Sequence, residues 1–358
     1  MFIRKIDDWE QRKLGEVTES FDGKRVPIDS GLRVLGEYPY YGATGIIDYV
    51  DDYIFDGEYV LLAEDGANII MRNNPVAYLT QGKFWLNNHA HIMRIIEGNN
   101  YFLVQVLEKI DYIKYNTGTA QPKLNSKIVK NIEFKLPQIE EQQKIGAFFK
   151  QLDDTIALHQ RKLDALKLMK KGFLQQMFPE KGEKVPKLRF ADFEEEWQQR
   201  KLEEVLKVNS GRDYKHLKSG DIPVYGTGGY MLSVDDKLSN VDGVGIGRKG
   251  TIDKPQYLKA PYWTVDTLFY MTVFEGNDIR FLYSLTKNIN WKKMDESTGV
   301  PSLSKSAIKK VVKTFPPFEE QQKIGIFFKQ LDDVIVFYQN KLNTLNNLKK
   351  SFLQNMFI

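Results

Sequence analysis

The chain has 358 residues, 42% of them hydrophobic, which is enough for two domains with their own cores. It contains no cysteine, which excludes a disulfide framework and a thiolate metal site and fits a reducing cytoplasm. The net charge of +4 is too small to bind a polyanion by bulk attraction, so any nucleic-acid contact must rest on a local surface or on a partner's charge.

The opening, MFIRKIDDWEQRK, is charged, and no apolar run approaches the ~18–20 residues of a membrane span. A cytoplasmic protein without a membrane partner is expected. Residues 1–137 read as a globular unit with β-type runs at Tyr59 to Leu62, Val76 to Leu79 and His91 to Ile96, broken by Gly, Asn and Asp. A helical stretch, Tyr101 to Lys114, is mixed in. This order predicts an α+β domain rather than repeated βαβ units.

Residues 138–179 follow as one long helix. Pro137 precedes it, Glu140 and Glu141 occupy its first turn, and apolar residues recur in steps of four and three: Ile145, Phe149, Leu152, Ile156, His159, Leu163 and Leu166, resuming at Phe173 and Met177. That heptad seam predicts a rod of about 60 Å that needs a second helix to cover it. Pro179 to Phe190 is a polar linker with two prolines. The segment 180–316 contains this linker and a second globular unit, with strands at Val244 to Gly247 and Trp263 to Val273 and a helix over Asp278 to Trp291. Residues 317–358 form a second long helix with the seam Ile324, Phe328, Leu331, Ile335, Tyr338, Leu342, Leu345, Phe352 and Met356.

The helices are copies. At a fixed offset of 179 residues, 26 of the 41 positions in 138–178 recur in 317–357 without a gap. The globular units share landmarks at shifting offsets. Trp9-Glu10-Gln11-Arg12-Lys13-Leu14 answers Trp197-Gln198-Gln199-Arg200-Lys201-Leu202, and Pro39 to Gly45 answers Pro223 to Gly229. Thr117-Gly118, followed by Pro122-Lys123-Leu124, answers Thr298-Gly299 and Pro301-Ser302-Leu303. An antiparallel coiled coil with a pseudo-twofold repeat is the expected architecture. Polar residues largely off the seam are repeated too: Gln142, Gln143, Lys150, Gln151, Asp153, Asp154 and Gln160, and their copies Gln321, Gln322, Lys329, Gln330, Asp332, Asp333 and Gln339. Two equivalent patches suit two copies of one partner; duplication too recent to have diverged is the competing explanation.

These features together resemble the specificity subunit of type I restriction–modification systems. The Trp197-Gln-Gln-Arg-Lys-Leu run after Pro186-Lys187-Leu188-Arg189-Phe190 carries the likeness, with the Thr-Gly…Pro-x-Leu turns and the duplicated Glu-Glu-Gln-Gln-Lys-Ile-Gly helix. Only Arg4-Lys5-Ile6 leads into Trp9, so a trimmed start is expected. The resemblance implies two target recognition domains, each reading half of an asymmetric bipartite double-stranded DNA target, and a coiled coil that sets the spacer. It implies docking of two modification (methyltransferase) subunits, which use S-adenosylmethionine to methylate adenine N6, and of restriction subunits that use ATP and Mg. This chain itself would be non-catalytic and bind no cofactor.

Base and phosphate contact calls for Arg, Lys, Asn, Gln and short polar groups. Tyr41, Thr44, Tyr225 and Thr227 flank glycine turns suited to close approach, or equally to buried structural turns. Gln121, Lys123, Ser302 and Lys305 lie near predicted helix starts, where phosphate contact competes with simple capping by Asn125 and Ser304. Arg72, Lys83, Lys114, Arg248, Lys249, Lys292 and Lys293 are further candidates, with solvated surface charge as the alternative. Gly245 to Gly250 matches GxGxxG, but Thr251 to Pro255 cannot start a helix well, so no nucleotide loop is expected. Phe315 lacks the acceptor that a methyltransferase Asn/Asp-Pro-Pro-Tyr/Phe motif needs. His89 and His91, on alternate strand positions, lack further clustered ligands for a metal, and His159 belongs to the seam. No catalytic constellation is visible, which weighs against a fused methyltransferase or nuclease. A coiled-coil adaptor that binds protein but reads no DNA remains the alternative.

Overall fold

The computed structural model describes residues 9–357, and every strand, helix and contact given is among those described residues. The lead-in Arg4-Lys5-Ile6 lies outside them. Two compact units emerge: one takes in the chain up to Gln160 and again from Lys341, the other Arg161–Asn340. The units therefore do not follow the sequence landmarks at 137, 179 and 316, because each takes part of both long helices.

The first unit opens on β1 (Glu10–Lys13), a helical turn α1 (Leu14–Val17) and β2 (Thr18–Ser20). The long hairpin β3 (Leu35–Gly42) and β4 (Gly45–Val50) follows, then β5 (Phe55–Asp56) and β6 (Tyr59–Ala63). A turn of helix α2 (Asn68–Met71) leads to β7 (Ala77–Thr80), β8 (Lys83–Leu86) and β9 (Ala90–Ile95). Helices α3 (Asn100–Lys109) and α4 (Ser126–Lys130) and strand β10 (Glu133–Leu136) complete the domain before α5 (Ile139–Gln176). One sheet has the order β2-β9-β6-β7, a second the order β4-β3-β8-β5, and β1 pairs antiparallel with β10. β6 is apolar on both faces, and Val60, Leu61 and Leu62, with Ile92 of the neighbouring β9, are fully buried between α3 on one side and the second sheet on the other.

The second unit repeats this plan. β11 (Gln198–Lys201), α6 (Leu202–Val205), β12 (Leu206–Ser210) and the hairpin β13 (Ser219–Gly226)–β14 (Gly229–Val234) come first. β15 (Gly243–Gly247), β16 (Gln256–Leu258), β17 (Trp263–Thr264) and β18 (Leu268–Val273) follow, then α7 (Ile279–Lys287), α8 (Lys305–Lys309), β19 (Val312–Phe315) and α9 (Phe318–Met356). The sheets are β12-β18-β15-β16, β14-β13-β17 and β11-β19. Each unit is α+β, as the segment order predicts.

Three expectations shift. The run Trp263 to Val273 is two strands, because a turn closed by Leu268 N–H donating to Val265 O (2.9 Å) passes the chain from one sheet to the other. The helices from Tyr101 and Asp278 stop at Lys109 and Lys287 and resume only as 3-10 turns at Ile113–Tyr115 and Trp291–Met294. His89 precedes β9 and is exposed beside Asp65, whereas His91 is buried, so the two do not form a common face.

The repeated helix start has a structural cause. Gln142 is buried; its amide donates to Pro137 O (2.8 Å) and its oxygen accepts from Asn99 N–H (3.4 Å). Gln321 does the same with Pro316 O (3.0 Å) and Asp278 N–H (3.0 Å). Asn99 and Asp278 cap α3 and α7, so each glutamine ties a long helix to the capped end of its domain helix. A Cβ at Gly146 would stand 2.2 Å from Asn99 Oδ1, and one at Gly325 would stand 2.5 Å from Asp278 Oδ1. Only glycine admits those caps.

Within each unit the long helices run antiparallel. In the first, Phe148 meets Phe352 edge-on at 4.9 Å and Asp153 pairs with Lys349 (2.7 Å). In the second, Phe173 meets Phe327 at 5.0 Å, Lys170 pairs with Asp332, and Lys162 lies over Tyr338 at 4.8 Å. Seam residues Ile145, Phe149, Leu152, Leu163, Ile324, Phe328, Leu331 and Leu342 are buried. The repeated tryptophans close the base of each unit. Trp9 packs edge-on against Phe102 and Phe357, and Trp197 against Phe178 and Phe281. Trp197 Nε1 also donates to Glu320 (3.2 Å), a fully buried carboxylate that Arg189 holds bidentately at 2.8 Å.

Four polar candidates for partner contact are thus committed inside the units. Gln142 and Gln321 lock helix to domain. Asp153 accepts from Tyr101 Oη (2.7 Å) and pairs with Lys349, and Asp332 pairs with Lys170 and Lys287. Packing, not an outside partner, accounts for their repetition. Gln143, Lys150, Gln151, Asp154, Gln160, Gln322, Lys329, Gln330, Asp333 and Gln339 are exposed. Lys150–Asp154 and Lys329–Asp333 form the same i,i+4 pair in both copies.

Candidate nucleic-acid interface

In each unit three segments converge. The first is a hairpin tip: Gly42 pairs with Gly45 and Gly226 with Gly229, and each strand pair carries a bulge just before the tip. Gly45 (φ 123°) and Gly229 (φ 114°) take backbone conformations that side-chain-bearing residues avoid. The second is the turn leaving β6 or β15. The third is the stretch before α4 or α8. Turn and stretch are stitched by the same bonds: Gly66 N–H to Pro122 O (3.0 Å) and Leu124 N–H to Glu64 O (2.7 Å), against Gly250 N–H to Pro301 O (2.8 Å) and Leu303 N–H to Arg248 O (3.0 Å). In the second unit Gln256 Nε2 reaches the carbonyls of Gly226 (2.9 Å) and Thr227 (3.1 Å), which holds the hairpin beside them.

This geometry corrects one alignment. Asn116 Oδ1 accepts from the N–H groups of Gly118 and Lys123, and Asp295 Oδ1 accepts from those of Ser297 and Ser302, all at 2.9–3.0 Å. Thr117-Gly118 therefore corresponds to Glu296-Ser297, not to Thr298-Gly299. The Pro-x-Leu match stands.

The candidate residues separate by environment. Thr44 is exposed at its tip and Thr227 half-buried at the other. Tyr41 is a packing residue, stacked on Tyr78 (5.8 Å) and edge-on to Phe84 (5.5 Å), and burial pushes its hydroxyl pKa up. Tyr225 is half-buried against Tyr230 (6.5 Å), with the same upward shift from burial. Arg72 is spent internally: its backbone is left-handed (φ 55°), its guanidinium donates to Glu108 O and Ile110 O at the end of α3, and it lies over Tyr112. Lys292 is paired with Asp253 (2.8 Å), and Lys123 with Glu64 (3.5 Å). Asn125 and Ser304 are N-caps, accepting from Ile128 N–H and Ala307 N–H at 3.0 Å. Exposed and available are Lys83, held over the Tyr53 ring at 4.5 Å, together with Lys114, Gln121, Lys293, Arg248 and Lys249. Lys305 and Ser302 are half-exposed.

Sequence reasoning missed the apolar tips. Ile46, Ile47 and Tyr49 are exposed after the first hairpin turn, and Tyr230 and Met231 after the second. Ile46 and Tyr230 hold the same register position, opposite Tyr41 and Tyr225. An apolar-rich hairpin reads as a core element in sequence; only burial reveals that these residues face out.

Such a pair of half-domains, each presenting a hairpin tip and a stitched turn, belongs to a known class. The model of the type I restriction modification DNA specificity domain matches residues 6–168 and again 194–347, and the chain belongs to that family. It is 28% identical to a Haemophilus influenzae protein assigned as a type I restriction enzyme specificity subunit, covering 90% of this chain and 88% of that one. It is 22% identical to the Methanocaldococcus jannaschii type I restriction enzyme MjaVIII specificity subunit, over 98% and 92% of the two chains. The fold matches the crystal structure of a type I restriction–modification S subunit from M. genitalium with a TM-score of 0.77, at 16% identity, over 100% of this chain and 98% of that one. Its role is DNA target recognition within a restriction–modification system, as a specificity rather than a catalytic subunit. No helix among the described residues is long and apolar enough to cross a membrane.

Proposed function

We propose that each unit reads one half of an asymmetric, bipartite DNA target, and that the paired long helices set the unspecified spacer between the halves. The observation that carries this is the contrast within one repeat. The two readers share a stitched backbone frame, yet their tips differ at matched positions, Ile46 and Ile47 against Tyr230 and Met231. A common frame with different edges suits two different half-sites. The helices barely differ, which suits two copies of one modification subunit docking on the exposed repeated residues around Lys150–Asp154 and Lys329–Asp333. Those partners would bring S-adenosylmethionine for adenine methylation, and restriction subunits would bring ATP and Mg for translocation and cleavage. The chain's own work in this reading is positioning. The adaptor alternative fits the repeated helices and the small net charge but explains the differing tips of the two units poorly.

Selection from a randomised DNA pool by the chain assembled with its modification subunits tests this. Two fixed blocks separated by a constant number of unspecified base pairs are expected. A single continuous block, or no enrichment, would contradict it.

A further inference from the structure

The two units carry opposite charge at the same place in the fold. Arg248 N–H donates to Thr267 O (2.8 Å) and Arg248 O accepts from Leu303; Glu64 N–H donates to His89 O (2.9 Å) and Glu64 O accepts from Leu124. Arg248 therefore occupies the position of Glu64. By the same frame Lys249, bridged to Ser302, matches Asp65, bridged to Lys123. Phe269, opposite Ile246, matches His91, opposite Leu62, and Lys305 opens α8 where Ser126 opens α4.

In the first unit this place is closed by its own charges. His91 Nδ1 faces Asp22 Oδ2 (2.7 Å) and Nε2 faces Leu124 O (2.8 Å). Arg25 donates to Glu64 (2.6 Å) and Ala90 O (2.8 Å), and Lys123 completes the ring at 3.5 Å from Glu64. A cavity of only about 10 Å³ lies beside Asp22, His91 and Ser126.

In the second unit the place is open. A cavity of about 420 Å³ is lined by Arg248, Lys249, Lys305, Ser302 and Phe269. Arg248 and Lys305 lie over the Phe269 ring at 5.9 and 5.8 Å, which holds both cations toward it. Among the described residues, none of the three cations is within ion-pair distance of a carboxylate; Glu296, the acid in the lining, accepts from Ser304 (3.0 Å). Unpaired cations around a concave, serine-lined seat suit an oxyanion.

We propose that this cavity takes a backbone phosphate of the DNA target, that the first unit has no equivalent seat, and that the second half-site carries the larger share of salt-dependent affinity. The inference rests on the DNA reading above and adds an unequal division of labour to it.

The test measures Kd of the assembled complex for its target against salt, from about 50 to about 200 mM, where each neutralised phosphate contributes about 0.9 to the log–log slope. The variant carries Arg248→Gln, Lys249→Gln and Lys305→Gln together, with Arg248→Gln alone as a second variant, since Arg248 is exposed and its loss leaves the core intact. The slope should become shallower by about 0.9 in the triple variant and by less than that in the single, with base preference unchanged. Phosphate ethylation should block binding more strongly at the half-site that follows residues 180–316 when these are exchanged. An unaltered slope in both variants, or equal interference at both half-sites, overturns the proposal while leaving the DNA reading standing. If the wild-type complex shows no target preference, the DNA reading fails first and the proposal with it.

Discussion

Gln142 and Gln321 show how a single side chain can explain a conserved-looking repeat without a partner. Each satisfies a proline carbonyl and a cap N–H that are otherwise buried. Replacing Gln142 with Ala strands both groups and should destabilise the first unit by about 2 kcal/mol. Hydrogen exchange at the start of α5 would register this, with the Gln321→Ala variant showing the loss at α9 instead. From sequence these glutamines looked like surface residues, because a polar residue off the seam gives no hint that a neighbouring cap needs it. Asp22 carries a pH dependence. Burial alone would raise its pKa, but the hydrogen bond and charge of His91, the Ile92 N–H and Arg25 outweigh this and hold the carboxyl below its ordinary 3.8. A depressed carboxylate pKa means the unfolded state binds the proton more readily, so its stabilisation is present above 3.8 and is lost as pH falls through the folded value. The protection factors at Ile92 and Met93 should therefore fall as pH drops below 3.8 in the native chain, and less steeply in Asp22→Asn. Equal profiles would show that Asp22 contributes nothing there.

At the scale of elements, the long helices were the most legible part, since their seam repeats over many turns and burial follows it from Ile145 to Leu163 and from Ile324 to Leu342. The hairpins were the least legible. β3 contains Gly36, Pro39 and Gly42 and is interrupted by two register shifts, so no period of two survives to be read. Tyr230→Ala with Met231→Ala should weaken discrimination at one or two base pairs of one half-site by about 1–3 kcal/mol each, leaving the salt slope unchanged. Ile46→Ala with Ile47→Ala should act on the other half alone. Selection from randomised DNA reads both, and a loss spread over both half-sites would remove the tips from the specificity argument. The candidate site was legible only in part. Arg248, Lys249 and Lys305 were visible as charges, but Arg72 and Lys123 looked the same in sequence and differ only in having internal acceptors.

On the whole molecule, the repeat makes a modular prediction. Exchanging residues 180–316 for those of a relative should change one half of the target and leave the other intact. Inserting one heptad at matched positions in both helices adds about 10.5 Å, or roughly three base pairs of spacer, while keeping the seam in register. With its small net charge of +4, the chain alone should bind DNA weakly and with strong salt sensitivity. The most direct measurement is genome-wide adenine methylation in a host with and without this chain, its modification partner being active. Loss of N6-methyladenine from one motif with two fixed halves and unspecified bases between them is the predicted result. Methylation unchanged at every motif would contradict the recognition role.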